Sequence, residues 1–235
     1  MAEGQQCEGT PMFERYAIFY TPTGPLAALG AQWLGWDNAN GVAVAHLEIA
    51  GLDVEKLTAM PRKYGLHGTL KAPFRLAATV SQTDLEQAAA DFAARHGGVE
   101  LQNLELRHDN GFIALRPQDN PAALQDFAAA TVKAFDPLRA PLSDADIARR
   151  RKARLTTRQD QQMLKWGYPF IFDDFHFHLT LTGGLPKTDA ATVIAALQPH
   201  VDALVPKPFF IDAITLMGQD ETGMFHQINR YRLSG

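Results

Sequence analysis

The two short segments HGTL, at residues 67–70, and HLTL, at residues 178–181, decide the fold, because they repeat one pattern at equivalent places in the chain. A helical pattern and then a hairpin signal follow each segment. The hairpin glycine lies 44 residues after the first histidine (67 to 111) and 45 residues after the second (178 to 223). Spacings that agree this closely indicate an internal duplication.

Both segments are predicted to form β-strands with one apolar face and one polar face. In a strand, residues two positions apart share a face. The polar face is predicted to carry His67, Thr69 and Lys71 in the first copy and His178, Thr180 and Thr182 in the second. The residues between them are apolar or small and suit packing against helices. The duplication therefore predicts an imidazole and a hydroxyl on the polar face of each copy.

Two imidazoles and two hydroxyls in this arrangement suit the hydrolysis of a phosphodiester. The attacking and leaving oxygens lie on opposite sides of phosphorus, so one group must accept a proton while another donates one. Histidine does both because its unperturbed pKa is about 6.5, and each proton-transfer group contributes ~10²–10⁴ in rate. We therefore assign His67 and His178 as base and acid, in either order. Thr69 and Thr180 hold the phosphate, and Lys71 adds positive charge.

The composition is that of a globular protein and limits the classes of partner. The chain has 235 residues, of which 46% are hydrophobic, so it is long enough to bury a core. Its 26 acidic and 22 basic residues give a net charge of −4, which argues against binding long nucleic acid through bulk positive charge. The single cysteine, Cys7, fits a reducing compartment, and no apolar stretch approaches the ~18 residues of a membrane span. We expect a soluble, cytoplasmic monomer with no membrane partner.

The remaining pattern predicts alternating strands and helices in one α+β domain. Residues 1–14 predict a disordered leader and residues 15–235 a two-lobed domain, with lobe 1 at about 15–140 and lobe 2 at about 141–235. Strands are predicted at 15–21, 42–49, 64–70, 99–107, 112–116, 171–182, 208–216 and 224–233. Helices are predicted at 25–34, 53–60, 81–96, 120–135, 143–165 and 186–201. The basic helix at 143–165 is expected to connect the lobes.

The paired motif resembles the two-histidine phosphoesterase superfamily, which is marked by two His-x-Thr/Ser-x motifs in a duplicated α+β fold. Longer strings are similar to its phosphonate-operon-associated branch: RYAIFYTP at 15–22, RKYGLHGTLKAPF at 62–74, GFIALRP at 111–117 and WGYPFIFDDFHFHLTLTG at 166–183. This resemblance covers nearly all of the chain after about residue 14. It implies mainly antiparallel sheets with outer helices around a central cleft, no metal or other cofactor, and cyclic phosphodiester substrates. The branch further implies a phosphoribosyl cyclic phosphate in phosphonate metabolism.

Lys71, His176 and Thr182, on the polar faces of the two motif strands, are candidates for binding the substrate, and so are other side chains. Arg150 and Arg154 belong to the basic run at 149–158 and, at i and i+4, share one helix stripe. A stripe that faces the cleft would attract a phosphorylated substrate, whereas a solvated stripe would not. Tyr16 and Tyr168 suit either contact with the substrate or packing. Arg116, at the end of a hairpin strand, suits either a phosphate contact or an exposed ion pair.

Three alternative functions stay open. The first is hydrolysis of an RNA or nucleotide 2′,3′-cyclic phosphate, which presents the same reacting group. The second is a metal-dependent hydrolase that uses His176 and His178, and it requires a third ligand such as Asp173, Asp174 or His67. Without a metal, His176 is expected at the rim of the cleft. The third is a non-catalytic protein that binds nucleotides or RNA ends. The expected partner throughout is a small phosphorylated compound.

Overall fold

The computed structural model describes residues 13–235, and β-strands and α-helices alternate along them. The strands are β1 (Arg15–Tyr20), β2 (Trp36–Asp37), β3 (Val42–Ala43), β4 (Gly68–Phe74), β5 (Val99–Leu101), β6 (Glu105–Asp109), β7 (Phe112–Arg116), β8 (Leu179–Thr180), β9 (Phe209–Ile211), β10 (Ala213–Gln219) and β11 (Phe225–Arg232). The helices are α1 (Gly24–Leu34), α2 (Val54–Thr58), α3 (Gln82–Arg95), α4 (Ala122–Phe135), α5 (Asp144–Arg151), α6 (Thr157–Trp166) and α7 (Lys187–Leu204).

Seven of these strands form one sheet in the order β11-β10-β1-β4-β8-β7-β6. Every pair of neighbours in it is antiparallel. Two small antiparallel pairs, β2 with β3 and β5 with β9, lie apart from it. This architecture confirms the predicted α+β class with antiparallel pairing.

The two copies of the duplicated unit interleave within the large sheet. The motif strands β4 and β8 are direct neighbours, and Gly68 lies opposite Leu179. The hairpin β6–β7 of the first copy adds beside β8, whereas the hairpin β10–β11 of the second copy adds beside β1, which in turn pairs with β4. The large sheet thus contains strands from both predicted lobes. The boundary between the lobes near residue 140 stays a prediction.

Helices cover one face of the sheet and leave the motif face to other elements. The apolar faces of α1, α3, α4 and α7 pack in one core with Tyr16, Ile18 and Tyr20 of β1. The alternate residues Ala17 and Phe19 pack on the opposite face of β1, in a smaller cluster with strands β10 and β11. This alternation follows from the two-residue period of a strand and separates the core from the functional face.

The prediction of one continuous helix over 143–165 is wrong. The chain forms α5 and α6 with a break between them, where Arg154 has a left-handed backbone with φ of 53°. Thr156 caps the new helix by accepting a hydrogen bond from the amide of Gln159, whose side chain bonds back to the Thr156 amide. Arg150 and Arg154 therefore do not share a helix stripe.

The strand predicted over 171–182 is also largely irregular. Residues Phe172–Asp174 form a 3₁₀ turn, and only Leu179–Thr180 enter the ladder. The strand predicted over 42–49 shortens to Val42–Ala43. The strand predicted over 64–70 begins at Gly68 and continues through Pro73 to Phe74.

At the N-terminus, residues 1–12 of the predicted leader lie outside the described residues, and so does Cys7. The described chain joins the sheet by residue 14, because the Glu14 amide donates a hydrogen bond to the Gln219 carbonyl at 2.8 Å. Across residues 13–235, each helix is too short or too polar to cross a membrane.

Candidate active site

The pairing of β4 with β8 brings the two motifs together. Gly68 and Leu179 lie opposite each other in antiparallel register. Continuing this register by one residue in each direction places His67 opposite Thr180 and Thr69 opposite His178, with all four side chains on one face of the sheet. Charge on His178 contributes to lowering the pKa of His67, so the two rings are close enough to interact.

Each histidine is held by the same hydrogen bond. Nδ1 of His67 lies 3.0 Å from the carbonyl oxygen of Gly65, and Nδ1 of His178 lies 2.7 Å from that of His176. Because a carbonyl can only accept, each Nδ1 carries the proton and donates it to the carbonyl two residues earlier. In the neutral ring Nε2 is then free to accept a proton. Both imidazoles are thus oriented as bases.

His67 is enclosed by aromatic rings. Its ring centroid lies 4.2 Å from that of Phe19 and 5.2 Å from that of Tyr64, which stacks on it. Only 8% of the residue is exposed. Burial lowers the pKa of His67 to about 4, against a smaller raising effect of the Gly65 hydrogen bond. His67 is therefore neutral at pH 7.

His178 has a more open and more cationic environment. It is partly exposed, and its ring lies 5.7 Å from that of Phe112. Its pKa is lowered by burial first, and the charges of Arg116 and His176 lower it further. The His176 hydrogen bond acts in the opposite direction. The two halves of the site thus share a motif but differ in what surrounds it.

The hydroxyls of Thr69 and Thr180 are available to a ligand. Both residues are partly exposed, and within residues 13–235 neither hydroxyl takes part in a hydrogen bond. A hydroxyl donates one hydrogen bond, which a phosphate oxygen accepts readily. By the register given above, the two threonines lie on the same face of the sheet as the two histidines.

Arg116 is a buried cation near His178, and the sequence left its role open between a phosphate contact and an exposed ion pair. It is 8% exposed, its guanidinium lies over the Phe112 ring at 5.1 Å, and its Nε is buried without a hydrogen-bond partner among the described residues. The carboxylate of Asp109 lies 3.6 Å from that Nε. A buried cation is stabilised by nearby negative charge, so an anion bound beside Arg116 would add to the effect of Asp109. The sequence indicated that Arg116 lies at the end of a hairpin strand. It did not indicate that Arg116 is buried, because this burial depends on the neighbouring strand.

Of these groups, Thr69, Arg116 and His178 line one cleft of about 530 Å³, which is large enough for a sugar phosphate or a nucleotide. Its walls include Thr69, Arg116, Tyr168, Phe170, His176 and His178. His176 lines the cleft and is exposed. Across the described chain, no cluster of three histidine, cysteine or acidic side chains is arranged to bind a metal ion.

Three predicted substrate-binding residues lie elsewhere, and these predictions are corrected. Tyr16 is in the helix-side core and donates to Gln82 Oε1 at 3.1 Å, because its strand face is the core face. Thr182 is buried and accepts a hydrogen bond from the Ile113 amide at 2.9 Å. Both side chains therefore have structural roles.

The prediction that Lys71 adds charge to the site is the third that the structure corrects. The register between β1 and β4 shifts between the Phe19–Thr69 and Ile18–Lys71 pairs, so Lys71 pairs with a core-facing residue instead of following Thr69. Its ammonium donates to Asp136 at 2.8 Å and to the Val132 carbonyl at 3.1 Å. Lys71 is 3% exposed and its charge is paired, so it ties β4 to the end of α4.

Tyr168 and Arg150 lie together, while Arg154 lies apart. Tyr168 lines the cleft, and the Arg150 guanidinium carbon is 5.1 Å from the centre of its ring. Arg154 is exposed on the connection between α5 and α6. Of the two arginines predicted to bind the substrate, Arg150 therefore lies near the cleft and Arg154 does not.

Several known proteins resemble this chain. A protein from Janthinobacterium sp. (strain Marseille) named ribose 1,5-bisphosphate phosphokinase PhnN is 36% identical over 231 residues, which cover 94% of this chain and 51% of the relative. A protein of the same name from Laribacter hongkongensis (strain HLHK9) is 30% identical over 223 residues, which cover 92% of this chain and 51% of the relative. The chain spans about half the length of these curated relatives.

Among solved structures, one described as a phosphoesterase is 14% identical with a TM-score of 0.44, over 95% of this chain and 100% of the other. E. coli LigT complexed with 3′-AMP is 15% identical with a TM-score of 0.44, over 94% and 98%. The sequence pattern of one family, described as a protein of unknown function (DUF1045), matches residues 69–226, which is well over half of the chain. The chain therefore belongs to the DUF1045 family.

Proposed function

We propose that this protein hydrolyses a small cyclic phosphodiester to a phosphomonoester without a metal ion, with His67 and His178 as the proton-transfer pair. The observation that carries the proposal is the apposition of the two motifs across β4 and β8. Within residues 13–235, neither Nε2 nor either threonine hydroxyl takes part in a hydrogen bond, and the Arg116 charge lies close to His178. Such a set of groups suits a tetrahedral anion that must gain one proton and lose another.

In the proposed reaction, Nε2 of His67 takes a proton from water as the water oxygen attacks phosphorus. The bond from phosphorus to one ester oxygen breaks, and His178 in its protonated form donates a proton to that oxygen. The products are a phosphomonoester and a free hydroxyl. His67 is assigned as the base because its pKa of about 4 keeps it neutral. A phosphate anion between the rings raises the pKa of His178 and favours its acid form.

The phosphoryl oxygens are held by Thr69, Thr180 and Arg116 in this scheme. Charge accumulates on the non-bridging oxygens as water adds, and donors already in place stabilise that charge without reorganisation. The burial of Arg116 strengthens its effect, because water screens the charge less there.

The substrate that fits best is a phosphoribosyl 1,2-cyclic phosphate. Breaking its bond between phosphorus and the 2-oxygen leaves phosphate on the 1-oxygen and yields ribose 1,5-bisphosphate. That compound is the one for which the two curated relatives are named. We do not extend their phosphokinase activity to this chain, because its sequence has no GxxxxGK[ST] phosphate-binding loop.

The test is turnover of phosphoribosyl 1,2-cyclic phosphate and of nucleoside 2′,3′-cyclic phosphates in excess EDTA, with products identified by phosphorus NMR. We expect turnover of at least one substrate class with EDTA present. His67→Asn and His178→Asn should each lower kcat by ~10²–10⁴, because each removes one proton-transfer group. The control is His200→Asn on α7, which changes a histidine outside the site.

Three results contradict the proposal. Full loss of activity in EDTA with recovery on adding a divalent metal would support the metal-dependent alternative. Undiminished turnover in both histidine variants would remove the proton-transfer roles. Tight binding of nucleotides with no turnover of any cyclic phosphodiester would support the non-catalytic alternative.

A further inference from the structure

We propose that a recess lined by Arg15, Arg75, Arg149 and Arg150 is a second anion site, which binds a terminal phosphate of the substrate while the histidines act on the cyclic phosphate. This inference rests on the proposed function for the reacting end of the substrate. It adds a binding site for the second phosphate of the proposed substrate, the phosphomonoester that a phosphoribosyl cyclic phosphate carries besides its cyclic diester.

The recess adjoins the cleft. Ala72, Tyr168 and Ile171 line both spaces, so the recess and the cleft lie next to each other around Tyr168. The arginines come from distant parts of the sequence: Arg15 from β1, Arg75 from just after β4, and Arg149 and Arg150 from α5. The fold therefore assembles the positive charge at this one place.

The cations in the recess exceed the carboxylates. Asp146 is shared by Arg75, at 3.1 Å, and Arg149, at 2.7 Å. Arg15 donates from Nε to a neutral acceptor, Gln219 Oε1, at 2.6 Å. The recess is also lined by Lys71 and Arg139, but both of these pair with Asp136. Four arginines against one shared carboxylate leave an excess of positive charge, which a phosphate dianion would neutralise.

Within residues 13–235, Arg150 is the arginine of the recess whose guanidinium makes no hydrogen bond or ion pair. Its guanidinium lies over the Tyr168 ring, and its Nε is buried without a partner among residues 13–235. The pKa of Arg150 is lowered mainly by burial; Tyr168 raises it, and Arg149 and Arg15 lower it. A planar guanidinium presents several donors in a fork that matches two phosphate oxygens. Stacking on Tyr168 fixes the orientation of that fork.

Aromatic residues connect the recess to the proposed base. Tyr64 stacks on His67, and its hydroxyl is close enough to Arg15 to raise the pKa of that arginine, which burial lowers. Tyr64 also raises the pKa of Tyr168, on which burial has the largest effect. The recess therefore lies on the His67 side of the site, whereas Arg116 lies on the His178 side. The two cationic regions suit two phosphates on one substrate.

The experiment uses two probes that differ only in the terminal phosphate: ribose 1,2-cyclic phosphate and its 5-phosphorylated form. We expect the wild-type protein to have a higher kcat/KM for the phosphorylated probe. Arg150→Met keeps the apolar stem and removes the charge, and it should reduce this preference ~10–100-fold, as expected for a charge-assisted hydrogen bond. The loss in kcat/KM should be larger for the phosphorylated probe than for the unphosphorylated one, so the ratio of the two values is the readout. Lys152→Ala is the matched control, since it removes an exposed cation from the same basic run.

A calorimetric arm separates this inference from the proposed function. Affinities of both probes are measured in His67→Asn, with and without Arg150→Met or Arg15→Met, so that binding is tested without turnover. Tighter binding of the phosphorylated probe that either arginine variant abolishes supports the anion site, even if wild-type protein turns over neither probe and the proposed function fails. Equal affinities for the two probes, or a preference that survives both arginine variants, overturn it.

Discussion

The two motif-bearing halves of the site share a sequence pattern and a hydrogen bond but differ in their surroundings. His67 lies between Phe19 and Tyr64 and is almost completely buried. His178 faces the cleft, beside Arg116. A duplication supplies two identical bases, whereas the proposed reaction needs one base and one acid. The difference in environment is what distinguishes the two histidines.

The asymmetry originates in the order of the sheet. β1 lies between the first motif strand and the hairpin of the second copy, and its Phe19 covers His67. No such strand separates β8 from β7, so Arg116 comes close to His178. The position five residues after the hairpin glycine is Arg116 in the first copy and Ile228 in the second, and Ile228 packs against the core. Only the His178 half therefore has a cation at this position.

The largest effect that tests this comparison is expected at Arg116. Arg116→Gln should lower kcat ~10²–10³-fold, as loss of one preorganised donor does in other enzymes. The control is Arg107→Gln, because Arg107 contacts the same Asp109 carboxylate at 3.2 Å but is 44% exposed. Steady-state kinetics on the cyclic phosphodiester measure both variants. Equal losses in the two variants would mean that the charge near Asp109, and not the buried donor, is what matters.

The next effect concerns stability in acid. Above pH 6.5, His67 is neutral in both the folded and the unfolded chain. As pH falls below 6.5, the unfolded chain takes up a proton, but buried His67 does not until about pH 4. Neutral, buried His67 therefore makes its full contribution to the free energy of unfolding above pH 6.5. This contribution, about 3 kcal/mol, is lost as the pH falls towards 4.

Urea unfolding at pH 7 and pH 4 measures this loss. In His67→Asn, the difference in unfolding free energy between the two pH values should shrink by about that 3 kcal/mol. His178→Asn should shrink it less, because His178 is the more exposed ring. An unchanged pH dependence in His67→Asn would show that the ring is already charged or solvated in the folded protein.

Local sequence patterns predicted the duplication and the centres of most strands and helices. Alternation in strands, helix caps and hairpin glycines each depend on residues that are close together in the sequence. The β1–β4 register shift that redirects Lys71 depends on a partner strand and is invisible in an alternating pattern. The break before α6 did leave a signal, since Thr156 and Gln159 have the spacing of a capping box. The burial of Arg116 and the convergence of Arg15 with Arg150 arise from tertiary packing, which one sequence does not reveal.

A smaller effect is expected where the two motif strands meet. Gly68 lies opposite Leu179, and a Cβ on Gly68 would come within 2.5 Å of Cε2 of Phe177. Gly68→Ala should therefore destabilise the protein by about 1–3 kcal/mol through overpacking. Gly184→Ala is the control, because nothing lies within 4 Å of its Cβ position. Denaturant unfolding of Gly68→Ala with and without Phe177→Leu identifies the clash, since the second change should restore part of the loss.

The pH dependence of kcat/KM separates the roles of the two histidines. The probe is ribose 1,2-cyclic phosphate, which has no phosphomonoester that titrates near pH 6. For the free enzyme, activity should fall below about pH 4 as His67 becomes protonated. It should also fall, about tenfold per pH unit, above the pKa of His178, which burial and Arg116 place below 6.5. Residual activity of His178→Asn should keep the acid limb and lose the alkaline one. If His67→Asn instead loses the alkaline limb, the buried ring is the acid and the two roles are reversed.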